Sequence, residues 1–293
     1  MKMTLLGTGT SHGVPVIGCS CKTCTSKDPR DNRYRTSAFI EPYNFLIDTG
    51  PEFRLQALRK GITSISAAFI THSHADHLNG LDDLRTFSHS NAPGSASAET
   101  EGDGLPVYAD KKTISDIKRR FDYAFTPPKE GGGKPKLKLI EAEQFFKDRP
   151  LIKDKLSILP VPLLHGTLTT TGWLFTQTEN GIKKSIAYLT DCNDIPEQSL
   201  ALIKENAGVL VHLVIDGLRK EKHSTHFSFE EALCFADKLC PLHTWITHIT
   251  HNMTHLQIKE FLEEKLCAYK NLTEAVQNGG SVLPAFDGLE LEV

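Results

Sequence analysis

The chain has 293 residues, 39% hydrophobic and 24% charged, an ordinary globular composition with length for one large domain or two small ones. A formal net charge of −3 argues against a protein that works mainly through a dominant positive field on nucleic acid or anionic membrane, although a local basic patch remains compatible with it. No stretch approaches the roughly 20 apolar residues that span a bilayer, and MKMTLLGTGT has too short an apolar run for a signal peptide, so no membrane partner and a cytoplasmic location are expected.

In chain order, the β-branched or apolar runs MTLLGTG, FLIDTG, AAFITH, LSILPVPLLH, SIAYLTD, VLVHLVID and TWITH read as strands. Helical patterns cover residues 52–60, 77–87, 196–206, 228–239 and 255–265, and the helix from Ser228 opens with a capping signal, Ser228 and Glu231. Two stretches, 88–104 (small, polar, acidic) and 126–138 (Pro, Gly and Lys), read as exposed loop insertions rather than boundaries, so residues 1–293 are expected to form a single domain.

Five of the apolar runs end in a group that can bind a metal: Asp48, His72, His165, Asp191 and His248. A buried strand that delivers an ionisable group at its end must place it where water, a metal or a partner compensates for lost hydration. The densest signal is THSHADHLNG. His72 and His74 are two apart and share a side of an extended segment, while Asp76 and His77 follow as the chain turns into a helix. Neutral imidazole and carboxylate in that density suit zinc, iron or manganese.

HxHxDH after a strand, then a lone His, an Asp and a late His, resembles the metallo-β-lactamase superfamily over essentially the whole chain. The resemblance implies an α/β fold, a four-layer αββα sandwich of two mixed β-sheets flanked by helices, with two divalent metal ions (zinc or manganese, or iron) at one edge. His72, His74 and His165 would hold one ion; Asp76, His77 and His248 the other; Asp191 would bridge them.

The seven cysteines make a poor disulfide framework in a reducing compartment, and Cys192, Cys234, Cys240 and Cys267 read as packing residues. Cys19, Cys21 and Cys24 differ. GVPVIGCSCKTC is similar to the phosphodiesterase branch that includes the phosphoribosyl cyclic phosphate phosphodiesterase, where three such cysteines bind a structural zinc. Closed zinc sites take four ligands, and His251, in THITHNMTH, is the candidate fourth, ahead of His255. By the same resemblance His226, in HSTHFSFEEAL, sits over the metals as general acid, with His223 as the alternative.

The implied activity is hydrolysis of a small or cyclic phosphodiester by water activated between the metals. Asp76 would serve as ligand and orienter of that water, and His226 would protonate the departing alkoxide. Asp48 is expected to orient a metal-binding histidine and Asp216 to do the same for His226. His12 and the glycines of GTGTSHG are candidates for substrate contact, His212 for a satisfied sheet residue, and His89 and His243 for exposed positions. Two other readings stand: a tRNA-processing ribonuclease of the same fold, and a metal-binding interaction or sensing module without turnover. The acidic balance favours a small substrate over nucleic acid, and related enzymes suggest a homodimer.

Overall fold

The computed structural model describes residues 1–88, 104–126, 133–146 and 148–293. The first sheet is built from β1 (Lys2–Gly7), β2 (Ser37–Glu41), β3 (Phe45–Ile47), β4 (Ala67–Phe69), β5 (Leu105–Ala109) and β6 (Leu137–Glu141). The second contains β7 (Leu151–Lys153), β8 (Leu156–His165), β9 (Leu168–Glu179), β10 (Ile182–Leu189), β11 (Val209–Asp216), β12 (His243–Thr247) and β13 (Ser281–Pro284). A last strand, β14 (Glu290–Glu292), returns to the first sheet beside β1, giving seven strands in each. Both sheets are mixed. Pairing is antiparallel from β14 through β3 and from β7 through β10, and parallel from β3 through β6 and from β10 through β13.

The period-2 alternation of side chains sorts the apolar residues into three layers. Phe45, Ile47 and Phe69 of the first sheet meet Trp173, Phe175, Ile186 and Tyr188 of the second between the sheets. Leu46 and Ala68 face outward onto α1 (Phe53–Lys60) and the 3₁₀ segment Leu81–Phe87, which follows the short α2 (Ala75–Leu78), and this layer also takes Ile114 and Ile117 of α3 (Lys111–Arg120). A one-turn helix, α4 (Asp122–Phe125), follows α3. On the far side Ala187, Leu189, Leu213 and Ile215 pack under α5 (Glu197–Asn206), α6 (Phe229–Leu239), α7 (His255–Lys265) and α8 (Lys270–Gln277). The layer order is therefore helix, sheet, sheet, helix, as expected for an αββα sandwich.

The expected strands are present, and Ser228 and Glu231 form the reciprocal cap of α6. The expected helix over 77–87 is instead α2 followed by 3₁₀ turns, because Asn79 and Gly80 interrupt it. Among the described residues, seven strands lacked a sequence signal strong enough to be expected. β9, with five threonines and a glycine, becomes a central strand by pairing along its whole length with β8 and β10. Most of the two expected insertions lies outside the described residues, as does His89; the second ends earlier than expected, since Leu137 and Lys138 belong to β6. Among the described residues no helix is long and apolar enough to cross a membrane.

Candidate metal centre

Strand ends from both sheets meet at one rim. Asp48 follows β3, Asp191 lies just beyond β10 and His248 follows β12, with φ of 58°, 55° and 59°. Left-handed backbone costs an L residue roughly 1–2 kcal/mol. Three such turns at one edge deflect the chain sharply and leave the side chains on the rim. Gly50, two residues past Asp48, lies against the Asp76 carbonyl, where a Cβ would come within 2.4 Å, so the chain there accepts only glycine.

The rim gathers two donor sets. One ligand atom each from His72, His74, His165 and Asp191 lies within 4.8 Å of the others, and the same holds for Asp76, His77, Asp191 and His248. Asp191 belongs to both. His77 Nε2 stands 3.1 Å from Asp191 Oδ1 and 3.2 Å from Asp76 Oδ2, and His72 Nε2 stands 3.6 Å from Asp191 Oδ2. Yet both Nε2 atoms are buried with no hydrogen-bond partner among the described residues. Two ligands about 2.1 Å from one tetrahedral ion are about 3.4 Å apart, so the spacing and the orphaned nitrogens fit a shared cation.

Protonation behaviour agrees with this donor set. Burial and neighbouring His77 push the His72 imidazole well down, and burial lowers His74 and His165 too, leaving lone pairs available. Burial works against the Asp76 and Asp191 charges, but His77 and His248 hold both carboxyls below the usual carboxylate range. Against its own burial His77 is pushed well up by Asp191, Asp76 and Asp48. A proton and a divalent cation would compete for its Nε2.

Hydrogen bonds aim the imidazoles. His77 Nδ1–H donates to Asp48 Oδ2 at 2.7 Å, and His72 Nδ1–H to Thr71 Oγ1 at 3.1 Å, whose hydroxyl donates to Asp48 Oδ2 at 2.8 Å. One buried carboxylate therefore orients two histidines. His165 Nδ1–H donates to the Thr225 carbonyl at 2.6 Å, and Ser73 Oγ donates to Asp116 Oδ2 on α3 at 2.6 Å, fixing the backbone between His72 and His74. Thr71, Thr225 and Asp116 were not anticipated. A backbone acceptor leaves no residue signature, and nothing in the sequence ties Asp116, 43 residues on, to Ser73.

His226 is buried among these groups, its ring centroid 4.6 Å from those of both His165 and His248. Its Nδ1–H donates to Asp216 Oδ2 at 2.8 Å, hydrogen-bond length and shorter than two ligands of one ion would stand. Burial opposes its charge, but Asp216 overcomes that and raises the imidazolium to about 9. His223 is exposed and, among the described residues, has no carboxylate partner and hydrogen-bonds only Thr225.

Cys19, Cys21, Cys24 and His251 form a separate group. His251 Nδ1 is 3.4 Å from each of the three sulfurs. One N–H cannot donate in three directions, whereas a tetrahedral ion with bonds of about 2.3 and 2.05 Å sets sulfur and nitrogen about 3.6 Å apart. All three thiols are free; the Cys24 N–H donating to Cys21 Sγ holds that thiol down at about 6, while burial pushes Cys24 up to about 11. His255 lies elsewhere, its N–H on Asp31 Oδ1 and its Nδ1 3.3 Å from Arg33.

Several expectations are corrected. Of the four cysteines read as packing residues only Cys192 is buried; Cys234, Cys240 and Cys267 sit on helix faces or ends turned to solvent. His243 is half-buried, stacked on His212 and bonded to Ser281 Oγ. Substrate contact by His12 or the GTGTSHG glycines is not contradicted: His12 is exposed and packs edgewise on His251, and a Cβ on Gly7 would stand 2.0 Å from the Arg35 carbonyl.

A family profile described as the β-lactamase superfamily domain matches residues 43–249. A crystal structure of a new diphosphatase from the PhnP family is 34% identical, with a TM-score of 0.77, over 100% of this chain and 96% of that one. An octanoyltransferase of Porphyromonas gingivalis is 34% identical over 266 residues, 88% of this chain and 48% of that protein, so the chain spans about half the length of this curated relative. The short form of human tRNase Z shares the fold at 16% identity and a TM-score of 0.61, over 100% and 99% of the two chains. The chain belongs to the metallo-β-lactamase superfamily, a hydrolase family, and is similar within it to the PhnP branch.

Proposed function

We propose that this chain is a metal-dependent phosphodiesterase acting on a small or cyclic phosphodiester, with residues 1–293 working as one domain. The observation that carries the reading is His226, held by Asp216 beside two donor sets that share Asp191. His72, His74, His165 and Asp191 would hold one divalent ion, zinc or manganese or iron, and Asp76, His77, His248 and Asp191 the second. Bound there, the pair would supply Lewis acidity toward phosphoryl oxygens and lower the pKa of the attacking water.

The remaining work falls to protein groups. With Nδ1 committed to Asp216, the His226 proton available for transfer is the one on Nε2, and it goes to the departing alkoxide oxygen as the phosphorus–oxygen bond breaks. Asp76, with its second carboxylate oxygen, orients the water. Cys19, Cys21, Cys24 and His251 would hold a structural zinc that ties the N-terminal loop to the turn after His248.

The PhnP-family relative is named a diphosphatase, which supports a second reading, hydrolysis of a diphosphate linkage. There the leaving group is a phosphate, already stable as an anion, and His226 matters less. The octanoyl transfer named for the Porphyromonas protein we place outside the segment shared with this chain. The test is a screen of bis(p-nitrophenyl) phosphate, 2′,3′-cyclic nucleotides, a dinucleoside diphosphate and an octanoyl thioester on one metal-loaded preparation. Turnover of the thioester alone would reject the phosphodiesterase.

A further inference from the structure

The chain is acidic overall, but its cations are not spread evenly. Residues 111–138 carry nine Lys and Arg against three Asp and Glu, a local +6 within a total of −3, which leaves −9 on the rest. The described core of this stretch is α3, where Lys111, Lys112, Lys118, Arg119 and Arg120 are exposed. On α7 and α8 the lysines meet acids: Lys259 pairs with Glu263, Lys265 with Glu230 and Lys270 with Glu274. Lys112, Lys118 and Arg120 pair with no carboxylate among the described residues. A merely solvated helix face needs no such segregation; mutual repulsion of these cations is relieved by an anion.

Topology puts this face at the rim. β4 and β5 run parallel, so the turn carrying His72 and the start of α3 leave the first sheet at the same edge. Asp116 then fastens the helix to the rim: one carboxylate oxygen accepts from Ser73, between His72 and His74, and the other from Arg119 at 2.7 Å. Residues 112, 119 and 120 lie three or four positions from 116, on the same helix face. His74, beside Ser73, is the exposed member of its donor set.

We propose that the basic face of α3 receives the phosphates of a short single-stranded oligonucleotide whose terminal or internal phosphodiester enters the rim. This rests on the phosphodiesterase reading and extends it: the scissile group would be one of a row, and the neighbouring phosphates, on the side of His74, are what α3 recognises. Phosphate contacts of this kind position a strand without reading its bases.

The test is binding of a fluorescein-labelled phosphorothioate octanucleotide, as RNA and as DNA, to the metal-loaded protein by anisotropy, alongside turnover of bis(p-nitrophenyl) phosphate. Three phosphate contacts on a single strand predict affinity falling about 20-fold between 0.05 and 0.2 M salt. The K112E/R120E variant should bind at least tenfold more weakly at low salt, with a flattened salt dependence, and hydrolyse bis(p-nitrophenyl) phosphate like the wild type; the double alanine variant should fall between. Wild-type affinity in both variants for both strands, or loss of small-substrate hydrolysis in step with binding, would overturn the proposal. If no phosphodiester is turned over, the preceding reading fails while the binding isotherms still decide this one.

Discussion

His226 and Asp216 are joined by a 2.8 Å hydrogen bond, and the pair reaches the rim from different elements: Asp216 ends β11, and His226 precedes the cap of α6. With Nδ1 on the carboxylate, any proton this imidazole transferred would be the one on Nε2. His226→Ala should lower kcat on alkoxide-leaving phosphodiesters by about 10²-fold or more, with metal content unchanged. Asp216→Asn should lower kcat in the same direction by removing the negative partner. A metal equivalent lost from His226→Ala would show that the residue is a ligand.

The same substitution separates the two phosphate readings. On a dinucleoside diphosphate His226→Ala should cost much less than on a cyclic nucleotide, since the phosphate leaving group needs no proton as the bond breaks. Equal losses on both substrates would mean that His226 acts in binding.

Elemental analysis should find close to three divalent ions per chain. Cys21→Ser should lose one, and because the clip joins residues 230 apart in sequence, thermal stability should fall with it, by roughly 5–10 °C for a loss of about 2–3 kcal/mol. Two ions in both proteins would remove the third from the account.

Asp48 orients His77 directly and His72 through Thr71. Asp48→Ala should therefore weaken metal affinity at the paired site about 10–100-fold, read by competition with a chelator, and leave the Cys21 site filled. Unchanged affinity would show that the histidines hold their orientation without it.

His212 gives a pH prediction away from the rim. Its Nε2–H donates to the Glu292 carbonyl and its Nδ1 accepts from Trp245 Nε1, so the ring is held neutral, and burial lowers it from 6.5 to about 4. The unfolded chain takes up the proton first as pH falls. The stability is therefore full above about pH 6.5 and lost on acidification toward pH 4, at up to about 1.4 kcal/mol per unit. His212→Gln should flatten the slope of unfolding free energy across that window, measured by urea titration at several pH values. An unchanged slope would place the acid sensitivity elsewhere.

Much of the rim was legible because its chemistry is dense in sequence. Four donors within six residues, from His72 to His77, and single acids or imidazoles closing apolar runs are patterns that few other structures need. The helix caps were legible for a local reason, since Ser228 and Glu231 satisfy each other's backbone within one turn. The exposure of Cys234, Cys240 and Cys267 is not legible in sequence, because a thiol's burial depends on which helix face it falls on.

What the sequence determined by itself is therefore the inventory: the donors, their order and the strand ends that carry them. Only the tertiary structure decided which donors share a space. Asp191 lies 114 residues beyond His77 in the chain yet 3.1 Å from it, and Asp216 could have served any of several histidines until the strand register placed it against His226. Residue type and local periodicity act over a few positions. The meeting of β4, β10, β11 and β12 at one rim is set by sheet pairing and by the burial of the apolar layer between the sheets, which no short stretch of chain encodes.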